Sequence, residues 1–168
     1  MDSSHIPLAI AIVILIVGSA YFSATETAFS SLNRIRMKNM AADGNKRAQL
    51  ALDMADQYDR LLSTILIGNN IVNICSTSIA TVLFIAWFGS STGPTLSTVV
   101  MTVLVLIFGE ISPKSLAKES PEKFAMFSAP ILRIFLTILA PLNFLFGQWK
   151  KLLSHIFPTE AETSITED

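Results

Sequence analysis

Long apolar blocks separated by polar ones predict three membrane-spanning helices in this chain. Residues 6–30 begin almost purely aliphatic and are long enough to cross a hydrocarbon layer about 30 Å thick. Comparable apolar blocks cover residues 61–88 and 96–116. We therefore expect three spans at about these positions, with a short uncharged turn at residues 89–95.

The block between the first two predicted spans is polar. Residues 33–58 contain five basic residues and three aspartates, with a turn signal at Asp43, Gly44 and Asn45. Two short amphipathic helices on either side of this turn account for the pattern. Because basic loops are retained in the cytoplasm, we expect this helical pair inside the cell and the N-terminus outside.

Residues 121–157 are apolar but interrupted. Pro130 and Pro141 break the block into runs of only about ten residues, which is short for a span. A fourth span would also carry Lys150 and Lys151 to the outside, against the distribution of the other basic residues. We therefore expect helices that lie along the inner membrane interface, with bends at the two prolines.

Composition agrees with a membrane protein and excludes several functions. Of the 168 residues, 51% are hydrophobic and only 15% are charged, and the formal net charge is −1. Membrane lipid is therefore an expected partner, whereas nucleic acid is not. The single cysteine and two histidines disfavour a transition-metal site. Hydrolase and phosphate-loop motifs are absent, so we expect no enzymatic activity.

Glu110 is the first candidate for function because it lies within the third apolar block. Placing such a carboxylate at the centre of a membrane costs about 2.5 to 3.5 kcal/mol, so it requires a cation or another partner. Gly109 precedes it, and Pro113 follows and cannot donate a backbone hydrogen bond to residue 109. We expect an irregular helix with free carbonyl groups beside the carboxylate, as is typical of an ion path.

The other two predicted spans add neutral oxygens. Ser23 lies on a polar side of the first span, and Asn69 and Asn73 lie one turn apart on the second. Together with Glu110 they form a ligand set typical of Mg²⁺. Hydrogen bonding between helices, without any ligand, is the alternative for the asparagines. Glu26 is a second carboxylate near membrane depth and a further candidate for cation binding.

Three motifs in these segments resemble the membrane domain of the CorC/CNNM family. They are Phe22-Ser23-Ala24-x-Glu26-Thr27-Ala28, Gly68-Asn69-x-x-Val72-Asn73 and Phe108-Gly109-Glu110-Ile111-x-Pro113-Lys114. The resemblance implies a homodimer that exports magnesium, driven by a sodium gradient. It also implies three spans per protomer, a short cytoplasmic helical pair and a juxtamembrane belt helix. By motif position it assigns magnesium binding to Ser23, Asn69, Asn73 and Glu110, with backbone from Gly109.

The predicted protein is thus an all-α membrane protein of a bacterial or archaeal-type inner membrane. Residues 1–157 form the transmembrane domain, with cytoplasmic helices at about 33–58 and belt helices at about 121–157. Residues 158–168 are expected to be an acidic linker toward a cytoplasmic CBS module that this chain lacks. A second hypothesis is a membrane anchor that senses Mg²⁺ and regulates another transporter without moving ions itself.

Overall fold

The computed structural model describes residues 5–156, which are helical apart from short connections. The expected acidic linker at residues 158–168 lies outside the described residues. In chain order the elements are α1 (His5–Ser31), α2 (Arg34–Ala42), α3 (Lys46–Ala55), α4 (Tyr58–Leu104), a π-helix (Val105–Ile111), α5 (Ser112–Glu119), α6 (Pro121–Ile138) and α7 (Ala140–Ile156).

Two continuous helical segments within the described residues are long and apolar enough to cross a membrane. The first is His5–Ser31, with 27 residues, and the second is Tyr58–Glu119, with 62 residues. A straight helix of the second length would extend about 90 Å, three times the thickness of a hydrocarbon layer. The second segment must therefore fold back on itself.

Helix α4 reverses direction at Gly89. This residue has φ 79° and ψ 167°, a backbone conformation that favours glycine. The hydroxyl oxygens of Thr81 and Ser97 lie 3.3 Å apart, although sixteen residues separate them in the chain. Closer to the reversal, a Cβ atom on Gly93 would lie 2.7 Å from the Cα of Ile85. Since both pairs are centred on Gly89, α4 is a hairpin of two antiparallel arms.

The hairpin is tighter than the sequence predicts. We expected a turn over residues 89–95, but Gly89 is the non-helical residue within α4, and Pro94 lies inside the helix. Gly93 instead permits close packing, because any side chain there would collide with the backbone of Ile85. The third apolar segment is consequently helical from the residue after Gly89.

Helix α1 packs against both arms of the hairpin. A Cβ on Gly18 would touch Val72 at 3.4 Å, and a Cβ on Gly68 would overlap the ring of Phe22. Gly18 meets Val72, whereas Phe22, which comes later in α1, meets the earlier residue Gly68. Helix α1 is therefore antiparallel to the first arm. The absence of side chains at Gly18 and Gly68 brings the two helices close together.

The predicted pair of short helices after α1 is confirmed. Asn33 caps α2 by accepting a hydrogen bond from the backbone N–H of Arg36. Asn45 caps α3 by accepting from the N–H groups of Arg47 and the next residue, and Gly44 makes the turn with φ 91°.

Helices α6 and α7 do not form one straight span. The segments Pro121–Ile138 and Ala140–Leu153 are bent by 69° relative to each other, beside Pro141 as predicted. Pro130 lies inside α6, which continues as a helix on both sides of it, so the bend expected there stays a prediction. Contacts with α1 support α6 on both sides of this proline: the Tyr21 hydroxyl donates to the carbonyl of Ser128 at 2.9 Å, and the Phe22 and Phe135 rings are 4.9 Å apart.

The buried side chains form two clusters at opposite ends of α1. The larger cluster joins α1 to α3, α5 and α6 and includes Phe22, Ala28, Leu52, Ala117 and Leu132. The smaller one joins α1 to the hairpin and includes Ile12, Ala80, Leu83 and Met101. Many large apolar side chains on the outer faces are exposed, as expected for helices in contact with lipid.

Candidate functional site

Three helical segments bring oxygen atoms together between the two buried clusters. The Ser19 hydroxyl oxygen lies 3.1 Å from Asn69 Oδ1 and 3.5 Å from the carbonyl oxygen of Gly109. Ser19 is fully buried. Because one hydroxyl carries a single hydrogen, Ser19 donates to one of these two acceptors at a time. One of the two acceptor oxygens is therefore left without this hydrogen, and a cation could take its place.

The π-helix supplies the carbonyl of this group. Its widened turn is seen where the N–H of Ser112 donates to the carbonyl of Ile107, five residues earlier. Pro113 has no N–H, so it cannot donate the hydrogen bond that another residue at this position of an α-helix would donate to the carbonyl of Gly109. The irregular backbone predicted around Gly109 is confirmed, and it contacts the first span directly.

Gly109 is required by the closeness of this contact. A Cβ atom on Gly109 would lie 2.8 Å from the hydroxyl oxygen and 3.2 Å from the Cβ of Ser19. The buried side chain of Ser19 leaves no room for that extra carbon. The glycine thus lets the carbonyl approach Ser19.

Ser23 lies one turn beyond Ser19 on the same face of α1. It is fully buried, and within the described residues its hydroxyl oxygen has no hydrogen-bond partner. Its neighbours differ, because the hydroxyls of Thr25 and Thr27 donate to backbone carbonyls four residues earlier. Of the hydroxyls on the polar side of α1, that of Ser23 remains available for a ligand.

Glu110 lies at the same depth in the bundle as Asn69. Ser19 on α1 contacts Asn69 on the first hairpin arm through its hydroxyl oxygen. The same oxygen contacts the carbonyl of residue 109, which directly precedes Glu110 in the chain. Both residues therefore lie near the level of Ser19. The Glu110 side chain is half-buried, and no described residue provides it with a hydrogen bond or an ion pair. Its carboxylate is therefore uncompensated at the depth of the oxygen group.

Asn73 lies one turn farther along α4 than Asn69, about 6 Å away along the axis. Its Oδ1 atom is buried and has no hydrogen-bond partner within the described residues. It lines a crevice of about 230 Å³ between the two hairpin arms, together with Thr77, Thr98 and Thr102. Asn73 therefore lies at the edge of the oxygen group rather than within its hydrogen-bonded part.

Glu26 has a partner of its own. Its Oε2 atom lies 3.2 Å from Nζ of Lys114, and both side chains are partly exposed. The ammonium group occupies the position beside this carboxylate where a bound cation would lie. The structure thus separates Glu26, which is neutralised, from Glu110, which is not.

The charge of the site comes from one carboxylate. Within residues 5–156, no three side chains among histidine, cysteine, aspartate and glutamate are close enough to hold a metal ion together. A cation bound here would be held by neutral oxygens and the Glu110 carboxylate. Such a set suits hard cations.

Ser19 is the residue that the sequence interpretation missed. It lies in an aliphatic stretch that we read simply as part of a span. Its position four residues before Ser23 could have identified it, because residues i and i+4 of a helix share a face.

Comparison with known proteins identifies the family. Residues 10–168 match the family described as the cyclin M transmembrane N-terminal domain, CNNM. The chain belongs to the CNNM family. The resemblance of the three motifs to CorC/CNNM proteins is thereby confirmed. The motifs contribute Asn69 and Glu110 near the level of Ser19, and Ser23 one turn beyond it, in this CNNM domain.

Several bacterial proteins are similar to this CNNM domain over most of its length. A UPF0053 protein of Haemophilus influenzae is 42% identical over 159 residues, which cover 93% of this chain and 37% of that protein. The UPF0053 inner membrane protein YfjD of Escherichia coli is 35% identical over 148 residues, covering 88% and 34%. A protein of Haemophilus influenzae named polyamine export protein is 27% identical over 160 residues, covering 88% and 37%. The chain thus spans little more than a third of the length of these relatives.

Proposed function

We propose that this CNNM domain binds Mg²⁺ at the level of Ser19, Asn69 and Glu110 and exports it across the inner membrane in exchange for Na⁺. The contact of Ser19 with both Asn69 and the carbonyl of Gly109 carries this proposal. It joins neutral oxygens from all three spans at the depth of an uncompensated carboxylate. Glu110 compensates the charge of the ion, and Ser23 and Asn73 supply further oxygens from the two sides.

The spacing of the oxygens supports a small divalent cation. Neighbouring ligands of an octahedral Mg²⁺ are about 2.9 Å apart, given metal–oxygen distances of about 2.0 to 2.1 Å. The Ser19 oxygen is 3.1 Å from Asn69 Oδ1 and 3.5 Å from the Gly109 carbonyl. Shifts of a few tenths of an ångström would suffice for coordination, and water would complete the shell.

Transport requires that the ion leave the site again. A single carboxylate among neutral oxygens binds a divalent ion without fixing it permanently. In our proposal the site faces the cytoplasm and the outside alternately, and the N-terminus of α1 lies outside. Two copies of the chain form the transporter, with a cytoplasmic CBS module of the full-length protein as a partner.

Magnesium sensing without transport is the second candidate function. The same oxygens would serve it, so the site alone favours neither candidate. The helix break at the π-helix favours transport, because irregular backbone at membrane depth is typical of carriers with a binding site near the midplane.

Flux measurements in proteoliposomes test the proposal. Purified protein should release Mg²⁺ trapped in vesicles when Na⁺ is supplied on the opposite side, and Glu110→Gln should abolish the flux. Binding of Mg²⁺ by isothermal titration without any flux would favour a sensor. Glu110→Gln protein that still transports Mg²⁺ would exclude the proposed site.

Spermidine, a polyamine, should be tested in the same flux experiment, because one relative is named a polyamine export protein. Spermidine is a long cation that requires several separated carboxylates, whereas here Glu26 is already paired with Lys114. We therefore expect Mg²⁺ flux to be insensitive to spermidine. Spermidine flux without Mg²⁺ flux would replace our proposal.

A further inference from the structure

Two arginines line one cavity where α3, the start of α4 and α6 meet. The cavity has a volume of about 340 Å³, and its polar lining includes Arg60, Arg133, Gln57 and Asp53. Elsewhere in the structure, Arg34 pairs with Asp56. In contrast, no described residue forms an ion pair or a hydrogen bond with the guanidinium group of Arg60 or Arg133.

The position of Arg133 on α6 requires an explanation. Large apolar side chains on the same helix, including Ile131, Ile134 and Ile138, are exposed, as in a helix that contacts lipid. A charged side chain in such a helix reaches for the polar headgroup layer. Arg133 and Arg60 both line the cavity, so an anion held there would contact two guanidinium groups.

An apolar groove adjoins this cavity. It lies between α4 and α7, has a volume of about 810 Å³, and includes Leu62, Leu66, Phe144 and Phe146 in its lining. Arg60 lines both the groove and the cavity. An anionic headgroup bound by the arginines would therefore have room for an acyl chain along the groove.

Charge complementarity supports a singly charged anion. The lining of the cavity contains two guanidinium groups, those of Arg60 and Arg133, and one carboxylate, that of Asp53. Asp53 accepts a hydrogen bond from Gln49 at 2.7 Å. One negative charge, as carried by phosphatidylglycerol, balances the remaining positive charge.

We propose that the cavity of Arg60 and Arg133 and the adjoining groove bind one anionic phospholipid of the cytoplasmic leaflet. Basic pockets between helices on that side of a membrane suit anionic headgroups. The lipid would fill the space between the hairpin and the bent helices α6 and α7. This lipid site is separate from the oxygen group around Ser19 and does not depend on magnesium transport.

Native mass spectrometry of the delipidated, purified protein tests the proposal with added lipids. We expect the protein to bind phosphatidylglycerol in preference to phosphatidylcholine. The double variant Arg60→Gln with Arg133→Gln should bind phosphatidylglycerol about tenfold or more weakly, because the charged hydrogen bonds of both guanidinium groups are lost. The matched control, Lys38→Gln with Arg47→Gln, removes two exposed charges on α2 and α3 and should change binding by less than about twofold.

A second variant tests the groove without altering any charge. A Cβ on Gly147 would meet no atom within 4 Å, so Gly147→Leu can fold and fill part of the groove. We expect it to weaken phosphatidylglycerol binding by several fold. Equal binding of the two lipids, equal losses in the arginine and control variants, or displacement of the lipid by millimolar inorganic phosphate would overturn the proposal.

Discussion

Glu26 and Lys114 form an ion pair, with 3.2 Å between Oε2 and Nζ. Lys114 follows Glu110 by four residues, about one helical turn. The pair joins the first and third membrane segments next to the oxygen group. We expect Glu26→Gln to change magnesium affinity by less than about twofold, because its carboxylate already has a cation. Glu110→Gln should weaken magnesium binding by about tenfold or more. Isothermal titration of both variants checks this, and equal losses would place Glu26 in the site.

Removing the hydroxyl of Ser19 should weaken binding of Mg²⁺. This oxygen contacts both Asn69 and the Gly109 carbonyl, so Ser19→Ala removes a ligand and an organiser of two others. We expect about a tenfold loss of affinity by isothermal titration. Ser30→Ala is the matched control, because that hydroxyl bonds the carbonyl of Thr27 and is exposed. Similar losses in both variants would contradict the assignment of Ser19.

A methyl group on Gly109 should disturb the same contact from the other side. In Gly109→Ala the new Cβ would lie 2.8 Å from the Ser19 hydroxyl oxygen, so the two segments must separate. We expect a loss of about 1 to 3 kcal/mol in the free energy of unfolding and weaker magnesium binding. Gly147→Ala, where the Cβ meets nothing within 4 Å, is the control. An unchanged affinity in Gly109→Ala would exclude the carbonyl as a ligand.

Cysteine cross-linking checks the hairpin. With Cys75→Ser as background, Thr81→Cys and Ser97→Cys should form a disulfide upon mild oxidation, since the native oxygens are 3.3 Å apart. In a straight helix the two positions would be about 24 Å apart. Counting free thiols by the mass shift with maleimide measures the bond.

A second cysteine pair provides the control for the hairpin test. Thr81→Cys with Thr102→Cys places the second thiol about 7 Å farther along its arm, too far for a disulfide. Free thiols in the first pair after oxidation would refute the reversal at Gly89.

Orientation in the membrane can be measured separately. In the Cys75→Ser background, Lys46→Cys lies at the exposed start of α3, and Ser91→Cys lies just after the hairpin reversal. The basic helical pair predicts that a membrane-impermeant maleimide labels Ser91→Cys from outside intact cells and Lys46→Cys only after lysis. The opposite pattern would place the N-terminus in the cytoplasm.

The sequence predicted the secondary structure well because its signals are local. The first span follows from apolar length, and the α2–α3 pair from Asn33, Gly44 and Asn45. The break near Gly109 follows from glycine and proline chemistry. The hairpin was less accurate, because Gly93 reads as a turn residue although its role is to let Ile85 approach.

The candidate site was predicted only in part, because depth in a bundle is a tertiary property. Motif residues placed Asn69, Gly109 and Glu110 together, and the structure puts them at one level. The partner of Glu26 could not be foreseen, since Lys114 is eighty-eight residues away and reaches it only through helix packing. Ser19 was missed because one hydroxyl in an aliphatic run carries little signal by itself.

The π-helix Val105–Ile111 makes the third membrane segment sensitive to length rather than to composition. A π-turn contains one residue more than an α-turn, so deleting a single residue there would restore a regular helix. The widened turn absorbs this extra residue, so the helical segments on either side would keep nearly their present positions. The turn itself would narrow, and its carbonyl groups, including that of Gly109 beside Ser19, would move. We therefore infer that sequence drift can more readily exchange side chains in this segment than remove a residue from it.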